Sequence, residues 1–162
     1  MFKTLSDRSL RRTTVAALAG AVSLVSASAF AGECPADKVG VDVTKPGATE
    51  PVGVTDKVIA AIVLGEHNAT FYGYTLRMRR MVIRPGGVVP WHAHGDRPAN
   101  ILMIEGTLTE YRSSCAVPIQ HKAGDVVAEA GALSHWWKNN TKKPAVLISA
   151  DILHEKKDEH VM

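Results

Sequence analysis

Two histidines set one residue apart, His92 and His94, stand in the stretch "WHAHGDRPANILMIEG" at residues 91–106. In an extended strand successive side chains alternate faces, so both imidazoles project to one side and Ala93 to the other. If that side is interior, the pair needs polar partners, because burying an unpartnered polar group is costly. A metal ion is one such partner, and histidine is its commonest protein ligand. The spacing alone fits two solvent-facing histidines equally well, so the surrounding elements must decide.

From Val58 onward short β-rich runs alternate with turn signals: "KVIAAIVLG", "TFYGYTLRMRRMVI", "NILMIEGTLTEYR", "CAVPIQHKAGDVVAEAG" and "LSHWWKNNTKKPAVLISADIL". No helical stretch separates them, which predicts an all-β sandwich or barrel in a single domain at residues 58–153. Residues 32–57 hold Pro46, Pro51 and several glycines without helical period and read as an extended N-terminal segment. Residues 154–162, "HEKKDEHVM", read as a charged, solvated tail. Gly86-Gly87 reads as a turn before the histidine strand and Glu105-Gly106 as a hairpin turn after the next one. That places the histidine pair near a strand end, opposite a returning strand.

The stretch resembles the first motif of the cupin superfamily, with Gly86, His92, His94 and Gly106 at matching positions. Gly124, His135 and Asn139 match the second motif, although Ala130-Gly131-Ala132 replaces its usual Pro-x-Gly. The resemblance covers residues 86–139 and implies a double-stranded β-helix, the jelly-roll barrel of cupins. It also implies metal ligands at His92, His94 and His135. The family's glutamate slot holds Ala99, and the neighbours Asp96 and Asn100 fit poorly: one lies early in a loop, the other has the wrong strand parity. The expectation is a three-histidine site with open positions for one transition-metal ion (Fe, Ni, Cu, Mn or Zn). With no carboxylate in the set, borderline ions are favoured over Mg or Ca.

His121 is the reserve ligand, with packing or solvent contact as its plainer role. His67, His154 and His160 are expected at the surface, and Glu105 and Glu129 are expected as exposed turn residues. Trp137 shares the parity of His135 and, with Met103, is expected to wall a substrate pocket; core packing is the alternative for the tryptophan. In "LRMRRMVIR" the apolar parity switches between Met78 and Met81, which predicts a bulge near Arg79-Arg80. A regular strand would instead turn an arginine inward, where it could bind a substrate carboxylate.

Residues 1–31 combine a basic start, an Ala/Val/Leu/Ser run and Ala29-Phe30-Ala31, the pattern of a cleaved signal peptide. A membrane anchor is the alternative, since no charge interrupts Thr13–Gly32. Arg11-Arg12 raises twin-arginine export, though Thr13-Thr14-Val15 departs from that signal. The segment carries four of the 19 basic and one of the 16 acidic residues, so the remainder is balanced in charge. Nothing basic then remains for a nucleic-acid footprint, and a periplasmic or secreted location without further membrane contact is expected. In that compartment the two cysteines, Cys34 and Cys115, should pair rather than stay as separate thiols.

Three classes of function fit: a metal-dependent dioxygenase acting on a small organic molecule, a hydrolytic or structural zinc site, and a metal-bearing binding or sensory protein without turnover. A homodimer is the expected assembly.

Overall fold

A computed structural model describes residues 32–155, and within them the chain is all-β. The leader at 1–31, His160 and most of the charged tail lie outside the described residues. Eight strands run β1 (Val52–Val63), β2 (Tyr74–Ala93), β3 (Ala99–Glu105), β4 (Thr107–Arg112), β5 (Ile119–Lys122), β6 (Val126–Glu129), β7 (Ser134–Lys138) and β8 (Ala145–His154). Every pairing is antiparallel, in the order β5-β4-β7-β2-β8-β3-β6 with β1 on the side of β2, and the sheet curls into a jelly roll. β1 starts at Val52, ahead of the Val58 boundary, and β8 reaches His154.

β2 spans 20 residues and serves three partners, with β1 along one side. Tyr74–Ile83 pairs with β8, and Val88–Ala93 pairs with β7. Gly86-Gly87 is therefore a bend inside one strand rather than a turn before it. Gly86 sits there at φ 74°, a backbone conformation that side chains rarely adopt. The predicted hairpin at Gly106 does form between β3 and β4: φ is 77°, and a Cβ there would stand 2.7 Å from the Pro144 carbonyl.

The expected bulge at Arg79-Arg80 is corrected. β2 pairs with β8 without a break from Tyr74 to Ile83, and the irregularity lies on β1, between Val58 and Ala60. Alternation then carries Arg77 and Arg79 inward alongside Met81 and Ile83. Their burial is sustained by pairing: Asp151 meets Arg77 at 2.7 Å and Arg79 at 3.2 Å, and Asp56 takes the other side of Arg79. The charge on Arg79 is thus matched by the protein's own carboxylates. Beside this charged layer lies an apolar cluster built on Ile83, Leu108, Trp137, Ala145 and Leu147.

The segment before β1 is strapped along the barrel. Cys34 and Cys115 form a disulfide with Cα atoms 5.8 Å apart. Gly40 and Val43 donate backbone hydrogen bonds to Ser114 and Ser113, and Trp91 donates to Ala48. Because the bridge joins residues 81 positions apart, it restricts the unfolded chain and should stabilise by about 4 kcal/mol in the chain-entropy picture. Cys34→Ser is expected to lower the melting temperature accordingly, with the fold retained by circular dichroism. An unchanged melt would mean that the strap's hydrogen bonds hold it unaided.

Candidate metal centre

The three imidazoles expected as ligands come together at one end of the barrel. β2 and β7 set His92 directly opposite His135, and the register shifts between Val89 and His92. That shift lets Val89 and His92, of opposite parity, face the same cavity. His94 is fixed by its backbone N–H, which donates to the Leu133 carbonyl at 2.9 Å. The Nε2 atoms of His94 and His135 lie 2.9 Å apart, and those of His135 and His92 3.2 Å.

Each ring is turned by an oxygen behind it. His92 Nδ1–H donates to the Pro90 carbonyl at 2.8 Å and His94 Nδ1–H to the Arg97 carbonyl at 2.9 Å. His135 Nδ1–H donates to Glu110 Oε1. Trp137 Nε1 lies 3.1 Å from that same Nδ1, but a nitrogen already donating to the closer carboxylate has no lone pair to accept with. Trp137 is therefore an edge neighbour of His135. With all three Nδ1 atoms protonated, three bare Nε2 lone pairs converge. They repel one another at these distances, and a cation among them removes the repulsion.

The remaining donors fit the same ion. Glu129, expected as an exposed turn residue, is only 2% exposed, and its Oε2 lies 3.1 Å from His94 Nε2. Its Oε1 is buried without a hydrogen-bond partner. Three borderline nitrogen donors beside a carboxylate suit Mn, Fe, Ni, Cu or Zn. Asp96 and Asn100, the neighbours of the empty slot, are exposed. Among the described residues, the groups close enough to hold an ion are His92/His94/His135 and Glu110/Glu129/His135, which share His135.

His121 does not join the ligands. It is fully buried, its Nε2–H donates to Glu110 Oε2 at 2.8 Å, and its ring stacks on Trp137 at 4.5 Å. Glu110 thus holds His135, His121 and, at 2.8 Å, Arg112. Burial pushes the Glu110 carboxyl upward, but hydrogen bonds from His121 and His135 outweigh it and keep the group well below the usual carboxylate range. Trp137 walls the cavity beside the histidines, whereas Met103 packs in the core and does not line it. Glu105 is exposed as expected, and so is His67; His154 stacks edge-on against Tyr74.

Burial above all, then electrostatic repulsion from the neighbouring His135 ring, lowers the pKa of His92 to about 2 and of His94 to about 4. Both rings are therefore neutral, as ligands must be, well below the range near 6 to 7 where free histidines protonate. In metal-free protein this has a definite sign. The unfolded rings take up protons from pH 6.5 downward while the folded ones do not, so stability is full above 6.5 and is lost as pH falls toward 4. Burial raises Glu129 to about 7 and works in the opposite direction between 4.5 and 7, but two histidines outweigh one carboxylate. Chelated protein should melt progressively lower from pH 6.5 to 4.5; a flat profile would refute neutral burial of the pair.

An antiparallel jelly roll with a histidine cluster at its mouth defines a cupin, and this chain belongs to that superfamily. Residues 79–151 match the cupin domain family. A germin-like protein of subfamily 2 from Arabidopsis thaliana is 31% identical over 115 residues, 67% of this chain and 52% of that protein. Germin-like protein 5-1 of Oryza sativa is 31% identical over 104 residues, 60% and 47% of the two chains. The chain spans about half the length of these curated relatives. Among solved structures, a predicted oxalate decarboxylase from Thermotoga maritima superposes with a TM-score of 0.51 at 20% identity, covering 71% of this chain and 97% of that one, which speaks for the fold alone.

Glu110 and Glu129 are the site residues that sequence reasoning missed. Glu110 shares parity with buried Leu108, and Glu129 with buried Val127. That alternation was the available signal. It is weak in β6, where both faces of "VVAE" begin with valine.

Proposed function

We propose that this chain is an exported, metal-dependent cupin that carries out dioxygenase-type chemistry on a small organic substrate, with His92, His94 and His135 holding the ion. The observation that carries the reading is the convergence of three Nε2 lone pairs on one buried point beside a cavity of about 30 Å³. A redox ion bound there would supply dioxygen activation and polarisation of a substrate oxygen.

The chain's own residues supply the rest. Glu110 and the Pro90 and Arg97 carbonyls keep the rings aimed, while burial keeps His92 and His94 neutral. Val89, Ile101, Leu147 and Trp137 line the cavity and keep it poor in water. Its volume admits roughly two water-sized groups, so only the reacting end of a substrate enters, placed against a second small ligand. Arg79 and Arg97 are among the lining residues, but Arg79 is already paired with Asp56 and Asp151, so the cavity carries no unmatched Arg79 charge with which to select an anionic substrate.

The test is to load apoprotein separately with Fe(II), Ni(II), Cu(II), Mn(II) and Zn(II) and follow dissolved oxygen with small diketones, catechols and short dicarboxylates. Oxygen uptake that needs both substrate and a redox ion, and that Zn does not support, is expected. Turnover with Zn alone would mark a hydrolytic site, and tight capture of a panel compound without uptake would mark a binding protein.

The disulfide supports a periplasmic or secreted home. β1 carries exposed Val58, Ile59, Ile62 and Val63 on an edge strand, which supports pairing with a second copy. Light scattering of the purified protein should return a dimer mass; a monomer at micromolar concentration would refute it.

A further inference from the structure

The empty glutamate slot and the unexpected burial of Glu129 are two sides of one arrangement. β3 and β6 pair antiparallel with Ala99 directly opposite Glu129. Directly opposed residues put their Cβ atoms about 5 Å apart on the same face of the sheet. A glutamate at either position therefore delivers its carboxylate to about the same point. At 99 this chain has a buried methyl, which leaves that space clear. At 129 the carboxylate fills it: Oε2 stands 3.1 Å from His94 Nε2 and Oε1 3.5 Å from His135 Nε2.

We infer that Glu129 is the carboxylate ligand of the centre, supplied from β6 in exchange for the residue missing from β3. The inference rests on the metal-centre reading above and deepens it.

The carboxylate's surroundings point the same way. Oε1 is buried with no hydrogen-bond partner, a costly arrangement for a structural carboxylate. His94 Nε2, to which Oε2 is close, carries no proton when Nδ1 donates to the Arg97 carbonyl, so that contact is not a hydrogen bond unless the carboxyl is protonated. An ion between them satisfies both atoms at once. A fourth protein ligand also changes what remains open. A four-coordinate ion would be closed, whereas a six-coordinate ion keeps two positions. The site should therefore prefer ions that readily reach six ligands, and the added negative charge should favour harder ones such as Mn(II) and Fe(II).

The facing pair of strands supplies its own control. Glu129→Gln keeps size and shape while removing the charge, and the double variant Ala99→Glu/Glu129→Ala moves the carboxylate back across the pair. Ala99→Glu alone crowds two carboxylates into one space and should add no ligand. Binding of Mn(II) and Cu(II) would be measured by competition with a chromophoric chelator, and the ligand field by Co(II) absorption, with folding checked by circular dichroism. The expected result is that Glu129→Gln weakens Mn(II) at least about tenfold and Cu(II) less, and alters the Co(II) spectrum. The double variant should recover Mn(II) affinity to within about threefold of the parent.

Unchanged Mn(II) affinity and Co(II) spectrum in Glu129→Gln, beside lost metal in His94→Ala, would overturn the Glu129 assignment and leave the histidine centre standing. Retained metal in both variants would overturn the centre itself, and the inference with it. Failure of the double variant to recover, while folded, would overturn the exchange between strands.

Discussion

His135→Ala is expected to purify without stoichiometric metal, and His92→Ala and His94→Ala likewise. Each ring supplies one of three converging nitrogens, so its removal takes away a direct ligand. Removing a hydrogen-bond partner behind a ligand already costs roughly 10–100-fold in affinity, and a direct ligand should cost more. His121→Ala should keep its metal, because His121 meets Glu110 rather than the centre. Elemental analysis of the four purified variants checks this, and full occupancy in His94→Ala would refute the assignment.

The largest effect on stability is expected at Glu110, which is fully buried and holds two imidazoles and a guanidinium. Glu110→Ala strands Arg112 and leaves both histidines without an acceptor, a loss of about 3–5 kcal/mol by analogy with broken buried pairs. Glu110→Gln keeps the shape but presents an N–H where an acceptor stood, so it should lose less stability while weakening metal binding. Thermal unfolding and metal titration of the two variants separate these roles. A Glu110→Ala protein that melts like the parent would show that the cluster contributes nothing net.

Much of this arrangement is legible in the sequence, and its limits have a physical cause. His92 and His94 announce themselves because strand alternation is a local rule, and His135 because glycine-to-histidine spacing repeats a known motif. The inward arginines were harder. What makes their burial tolerable is Asp151, 74 residues from Arg77, and no local pattern shows a partner at that distance. Glu129 fails for the same reason: its parity is visible, but that it faces Ala99 is a fact of register between strands whose pairing the sequence does not state. Glycine signals a change of direction without saying whether the strand resumes, so the sequence presents the bend at Gly86 as a turn.

The long β2 strand also governs when the centre can exist. Its two halves pair with residues far along the chain: His92 with His135, and Tyr74 with His154. Such distant pairings make folding slow, because most of the chain must be available before any of them forms. A chain still emerging, or one held unfolded for export, offers isolated histidines and no cage. An ion bound there would be taken up only once the last strand closes. A ligand set that leans toward Mn(II) or Fe(II) would still compete with the stronger intrinsic affinity of Cu(II) and Zn(II) for nitrogen donors, so the ions present where the chain folds would count beside the ligands.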